Sequence, residues 1–146
     1  MNRKRSEHGQ SLVWTAVLLL FVVVPLLILI VDGLQLWRIR NQLQTATDAA
    51  CEEAAWVAAD RRTFRDTGNK TVANQSQARS DALETFHRTL YNTGALQYSP
   101  ALVVGFDASK PSAQCQSSAS VTLLFSGIIP AVTIETRAEA LIRFSR

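Results

Sequence analysis

A run of 21 residues without a charged side chain, from Ser11 to Val31, constrains this chain more than any other feature. As an α-helix it would be about 30 Å long, which matches the hydrocarbon core of a bilayer. Apolar residues occupy every side of such a helix, so no polar stripe marks a face for water. A buried helix of a soluble domain is the alternative, but 146 residues can hardly surround so long an apolar rod. The sequence therefore predicts a membrane-spanning helix.

The residues before this run predict its orientation. Residues 1–9 are polar and carry three basic side chains against Glu7. Basic residues mark the cytoplasmic end of a membrane helix, so residues 34–146 are expected outside the cytoplasm. A cleavable secretory signal is the rival interpretation, but its apolar part usually has only about 7–15 residues. We therefore expect a single-pass protein of the inner (cytoplasmic) membrane with a cytoplasmic N-terminus.

Four residues in and beside the segment refine this prediction. Trp14 and Trp37 lie near its two ends, where amphipathic rings favour the interface. Pro25 removes a backbone donor and is expected to kink the helix. Asp32 directly follows the segment and is expected to mark its boundary, with an ion pair inside an assembly as the sharper alternative.

Beyond Gly33, apolar residues recur every three or four positions, which is the period of an amphipathic helix. They are Leu36, Ile39, Leu43, Ala46, Ala50, Ala54 and Val57. Because this stripe narrows to alanine, we expect it to pack closely against the outer region or a neighbouring copy. No cap separates it from the membrane segment, so one helix is predicted from about residue 10 to about residue 60. The predicted divisions are a leader, a membrane helix, its amphipathic extension and an outer domain: 1–9, 10–33, 34–60 and 61–146.

The outer domain is predicted to contain one further helix and three strands. A polar connector, 61–70, precedes a helix over 71–91 whose apolar face is Ala78, Ala82, Leu83, Phe86 and Leu90. Residues 108–118 are expected to form a polar loop, and strands are predicted over 101–106, 120–125 and 132–144. The fold class expected is α+β, with the long N-terminal helix joined to a small helix and a three-stranded antiparallel sheet.

Both cysteines, Cys51 and Cys115, follow the membrane segment. If that side is oxidising, they could pair and tie a helix to a later loop. Two free thiols used as small apolar residues are the alternative, because Cys51 lies in an alanine-rich helical run.

Residues that could carry chemistry are few. His8 and His87 have no metal-ligand spacing with each other or with the cysteines, and no phosphate loop or nucleophile motif is present. Basic residues cluster only at the N-terminus, without aromatic residues between them, which argues against nucleic acid. We therefore expect neither an enzyme nor a bound cofactor or metal.

Two stretches resemble a known family. They are Gly9-Gln10-Ser11-Leu12-Val13 and the region from Val31-Asp32-Gly33 to Ala55, which includes Leu43-Gln44-Thr45-Ala46-Thr47-Asp48-Ala49-Ala50. In order, they resemble the Gly-x-x-x-Val, Asp-x-Gly-Arg-like and Leu-Gln-x-Ala-x-Asp-Ala-Ala patterns of the TadE/TadG-like family. These are pilin-like accessory proteins of tight-adherence (Flp, type IVc) pilus systems, and the resemblance covers about residues 3–60.

The resemblance implies a membrane-anchored minor pilin or pseudopilin that helix packing draws into, or beneath, a filament. It implies cleavage between Gly9 and Gln10 by a prepilin peptidase. The implied partners are the lipid bilayer, other pilin-like subunits and pilus platform proteins. Pilin-like proteins usually have Glu at the fifth residue after the cut, where it meets a subunit's N-terminal amine, whereas this chain has Trp14. A bitopic anchor that displays a small binding domain and never enters a filament is the alternative function.

Overall fold

A single helix organises the structure, a computed structural model that describes residues 12–68, 71–107, 110–124 and 131–143. This helix, α1, runs through Leu12–Val57, 46 residues and about 70 Å. It carries no break between its apolar first part and its amphipathic second part, which confirms the single long helix predicted from the sequence. The shorter elements follow it and pack along its C-terminal part, so the fold is α+β, as predicted.

One irregular turn interrupts the α-helical geometry of α1. Residues Leu19–Val23 form a π-helix, in which the N–H of Val24 donates to the carbonyl oxygen of Leu19. Pro25 follows at once; it has no N–H to donate to Phe21, and its ring crowds that carbonyl group. A widened turn just before the proline relieves this crowding. The kink expected at Pro25 stays a prediction.

The connector predicted over 61–70 is wrong for most of its length, because Arg61–Thr67 form a short helix, α2. The side chain of Asp60 caps this helix by accepting from the backbone N–H of Thr63 at 3.1 Å and from its hydroxyl at 2.6 Å. These bonds lower the pKa of the Asp60 carboxyl group. Gly68, with φ 73°, ends the helix in the left-handed conformation.

The next helix, α3, comprises Gln75–Thr93, so its predicted start at residue 71 was four residues early. Val72 instead pairs with Ala59 in an isolated β-bridge, which holds the chain extended there. Asn74 then adopts a left-handed conformation (φ 53°) and turns the chain into the helix. Leu83, which was placed on the apolar face, is 40% exposed, whereas its four companions are fully buried: Ala78, Ala82, Phe86 and Leu90.

A 3₁₀ turn, Ala95–Tyr98, leads into an antiparallel sheet with strand order β1-β2-β3. The strands are Ala101–Asp107, Ser112–Val121 and Val132–Leu141. The predicted loop over 108–118 is therefore wrong from residue 112 onward, and the middle strand begins eight residues before the predicted 120. Serine, glutamine, alanine and cysteine dominate β2, and so no run of large apolar residues marked it as a strand.

The core lies between the sheet and the two long helices. The C-terminal part of α1 packs on β2, on β3 and on α3, while α3 also reaches β1. Many of the buried residues are alanine, on both helices and on β2: Ala46, Ala50, Ala54, Ala78, Ala82, Ala113 and Ala119. Such small side chains let the backbones approach closely, and Phe86, Leu43 and Leu90 fill the larger spaces.

Three buried hydroxyl groups fix how α1 sits on the sheet. Thr47 of α1 lies 2.6 Å from Ser117 of β2 and 3.0 Å from Thr136 of β3, and the latter two are 2.7 Å apart. Thr47 also donates to the carbonyl oxygen of Leu43 at 2.7 Å. The Thr47 proton makes the bond to Leu43, and the protons of Ser117 and Thr136 make two of the three contacts between the hydroxyl groups. All three buried donors therefore have a partner.

Removing the Thr47 hydroxyl tests this triangle. We expect Thr47→Val to lower the free energy of unfolding by about 1–3 kcal/mol, because Ser117 and Thr136 then lose a buried partner. Thr45→Val is the matched control: its hydroxyl donates to Asn41 at an exposed position of the same helix, and its loss should change stability by no more than about 0.5 kcal/mol. Urea unfolding of the outer domain, with the full chain in detergent micelles, measures both.

Equal losses for the two variants would show that the triangle adds nothing. The triple variant Thr47→Val, Ser117→Ala and Thr136→Val should lose less than the sum of the three single changes, because no polar group is then left buried without a partner.

Candidate membrane and assembly surface

The first part of α1 is exposed on every side. Between Leu12 and Val31 no residue is buried, and an 18-residue window of this helix has a mean hydropathy of 3.0 with 0% of it buried. Large apolar side chains point in all directions, among them Leu18, Phe21 and Leu27 at 58%, 70% and 54% exposure. The helix is long and apolar enough to span a membrane, and water is a poor solvent for such a surface.

Asp32 is the first residue of α1 that the outer domain buries. Its side chain is only 4% exposed, and its carboxylate accepts a hydrogen bond from the backbone N–H of Leu124 at 3.1 Å. Leu124 follows the end of β2, so the outer domain reaches down to the residue that directly follows the apolar segment. Asp32 thus stands where the exposed part of α1 ends and the covered part begins, and its role at a membrane boundary stays a prediction. It also holds the chain beyond β2 against α1, which no sequence pattern indicated.

The predicted packing stripe of α1 faces the protein's own outer domain. Five of its residues are buried: Ile39, Leu43, Ala46, Ala50 and Ala54. The other two, Leu36 and Val57, are half-buried. The sequence left open whether this stripe packs against the outer domain or against a neighbouring copy. In the structure the outer domain of the same chain covers it, so a neighbouring copy has no access to the buried part.

The opposite face of the same helix is open. Trp37 and Trp56 are 66% and 61% exposed and stand near its two ends. The guanidinium group of Arg61 lies 3.8 Å from the centre of the Trp56 ring, a cation–π contact that covers one face of the indole. Contacts of α1 with other proteins must therefore use this face or the apolar segment.

The predicted cleavage site, Gly9 and Gln10, lies outside the described residues, and so does His8. Trp14 lies within them, on the apolar segment, and is 68% exposed. His87 lies on the exposed side of α3, where its ring meets the edge of Phe86 at 5.9 Å between ring centres. In the described part of the chain, no group of three or more His, Cys, Asp or Glu side chains could hold a metal ion.

The two cysteines meet in the core as thiols. Cys51 of α1 and Cys115 of β2 are both buried and hydrogen-bond to each other, and Cys51 also donates to the carbonyl oxygen of Ala113 at 3.2 Å. The bond with Cys51 and burial raise the pKa of the Cys115 thiol. The predicted disulfide thus has its two sulfur atoms side by side, on a helix and a strand rather than on a helix and a loop, and their pairing stays a prediction.

The Thr47 triangle and the Asp32 contact are among the polar contacts that the sequence interpretation missed. Thr47 lies between Ala46 and Ala50 on the apolar stripe, and a hydroxyl at that position was a usable signal of a buried polar contact. Asp32 offered no such signal, because its partner is a backbone N–H group 92 residues later.

The chain matches no family model, no curated protein and no solved structure. Its function is therefore inferred from its own residues and from the surfaces that they form.

The raised pKa of Cys115 predicts a loss of stability in alkaline solution. The folded pKa exceeds that of the unfolded thiol, about 8.5, so its contribution is complete below about pH 8.5 and is lost as the pH rises further. The bond from Cys115 lowers the pKa of Cys51, which acts in the opposite sense, so the effect is isolated in a Cys51→Ala variant. Between pH 7 and pH 10 the unfolding free energy of Cys51→Ala should fall more than that of a Cys51→Ala, Cys115→Ala double variant, because burial still raises the pKa of Cys115.

Parallel pH curves for the two proteins would contradict this expectation. The unaltered chain, measured for comparison, requires a reducing agent, because pairing of Cys51 with Cys115 would remove the titration. A non-reducing digest that yields the linked peptide identifies the paired form, which would close a loop of about 65 residues and add about 4 kcal/mol of stability.

Proposed function

We propose that this chain is a membrane-anchored, pilin-like minor subunit that takes part in assembling a tight-adherence (Flp) pilus or a related secretion system. The observation that carries the proposal is the division of α1 into a fully exposed apolar segment and a part covered by a small α+β domain. The motifs between Gly9 and Ala55, which resemble those of the TadE/TadG-like family, support it.

A helix that is apolar all round must be covered either by lipid or by other apolar helices. Lipid covers it in the membrane, where the basic leader holds the N-terminus on the cytoplasmic side and the outer domain stands on the other side. Removing residues 1–9 takes away three basic side chains and one Glu. The trimmed segment can then exchange lipid for the apolar helices of other pilin-like subunits.

The buried stripe of α1 restricts how such subunits meet. Because the outer domain already covers Leu43, Ala46 and Ala50, other subunits would contact the segment from Leu12 to Val31 and the open face that carries Trp37. The protein then acts by packing and not by catalysis. Its partners are other pilin-like subunits, the platform proteins beneath them and the prepilin peptidase that processes it.

Processing is the first test of this function. In the native membrane fraction, mass spectrometry should find an N-terminus at Gln10, because a charged leader cannot enter an apolar helix bundle without a large desolvation cost. A Gly9→Leu variant, altered next to the cut, should retain Met1. An intact leader in the unaltered protein would count against a filament role.

Trp14 is the second test, because it occupies the position where pilin-like proteins usually have Glu. If an apolar bundle forms around this position, Trp14→Glu should increase co-purification with pilin-like subunits, since a carboxylate there can pair with a subunit's N-terminal amine. Trp14→Gln is the matched control with a similar shape and no charge. Equal co-purification of the two variants, at equal amounts in the membrane fraction, would show that position 14 makes no such pair.

The alternative function is a bitopic anchor whose outer domain binds a surface partner and never enters a filament. The tryptophan at position 14 favours it, because pilin-like proteins usually have Glu there. This alternative predicts an unprocessed N-terminus and co-purification without other pilin-like subunits.

A further inference from the structure

We propose that the base of the outer domain rests on the bilayer, with Leu124 inserted into the interfacial layer as a second membrane contact beside the spanning helix. The ligand of this surface is the lipid itself. The proposal depends on the apolar segment of α1 lying in a membrane and is independent of any role in a filament.

The position of Asp32 sets the height of the domain above the membrane. Val31 is 51% exposed and ends the apolar segment, and the next residue is already buried under the outer domain. No stalk therefore separates the domain from the segment. Since the headgroup layer on one side of a bilayer is only about 5–8 Å thick, side chains level with Asp32 lie within it.

Leu124 is held at this height by a specific bond. Its backbone N–H donates to the Asp32 carboxylate at 3.1 Å, while its side chain is 67% exposed. The preceding Leu123 is 8% exposed and packs into the protein, so the two leucines divide between the core and the outside. A single exposed leucine needs no explanation on an ordinary surface. Here it stands beside the end of a membrane segment, where apolar side chains gain by entering the interface.

Two residues of α1 extend this apolar surface around the helix. Leu34 and Trp37 are 61% and 66% exposed and lie about 3 Å and about 8 Å further along the helix than Asp32. Together with Leu124 they form the base collar. Tryptophan is enriched at this depth in membrane proteins, because its ring is apolar and its N–H can bond to headgroups or water.

The carboxylate of Asp32 is compatible with this depth. A carboxylate facing hydrocarbon would be costly. This one is covered by the domain and is stabilised by the N–H that it accepts, so the chain can place it next to lipid without exposing it. A second copy of the chain is the competing occupant of the collar, but such a contact would have to displace the lipid that surrounds the adjoining segment.

A fluorescent probe at two leucines tests the proposal. The full chain carries Leu124→Cys or Leu141→Cys, is labelled with an environment-sensitive nitrobenzoxadiazole dye, and is reconstituted into phosphatidylcholine–phosphatidylglycerol vesicles. Leu141 is the matched control, because it is also 67% exposed but lies at the opposite end of the sheet, about 30 Å away along β2. Unaltered protein treated with the dye gives the background from the buried Cys51 and Cys115.

We expect blue-shifted emission at position 124 and quenching by nitroxide-labelled lipid that is at least about twofold stronger than at position 141, because only the former reaches the interface. Equal quenching at both positions would overturn the proposal. A blue shift at 124 that grows with the protein-to-lipid ratio and is not quenched by lipid would also overturn it, and would assign the surface to a second copy. Should Leu124→Cys fail to fold, Thr122→Cys provides an exposed site on the same segment, with the same expected outcomes.

Discussion

One continuous helix has to suit two kinds of surroundings, and the rest of the structure follows from where the exposed apolar part of α1 gives way to the part that the outer domain covers. Up to Val31 every side of α1 is apolar and exposed, and from Asp32 onward one side is covered by protein. A helix can make this change without a break because its backbone hydrogen bonds lie within it and do not depend on the surroundings. Only the side chains need to change.

The covered part of α1 is unusual in how small its contact residues are. Alanines on α1 and α3 meet alanine, serine and cysteine on β2, so the elements lie close together and each contact buries little apolar area. Directional contacts gain importance in such a core. The hydroxyl triangle of Thr47, Ser117 and Thr136 can form in only one register of the helix on the sheet, and the thiols of Cys51 and Cys115 meet in that same register.

The close fit of helix and sheet has a functional consequence. Because the outer domain occupies the alanine stripe of α1, it is attached rigidly to the membrane segment and does not hang from a flexible linker. The hydrogen bond from Leu124 to Asp32 extends this attachment to the first residue after the apolar segment. A load on the segment would therefore reach the domain through one continuous helix, which is compatible with the assembly role proposed above.

The sequence by itself determined the elements whose residues repeat with a clear period. The uncharged run up to Val31 predicted a helix, which the structure shows from Leu12 onward. The three- and four-residue spacing beyond Gly33 and the alternation in β3 also predicted the correct elements, since regularly spaced apolar residues indicate which face is buried. The apolar face of α3 was predicted in the same way, apart from the exposed Leu83.

Only the tertiary structure decided the rest. Strand β2 was hidden because its inward residues are small and partly polar, and they are buried only because an alanine-lined helix lies on them. Helix α2 depends on the cap that Asp60 provides. The adjacency of Cys51 to Cys115, the hydroxyl triangle and the Asp32 contact join residues that are 64 to 92 positions apart. Local spacing cannot encode such contacts, because the folded chain alone brings these residues together.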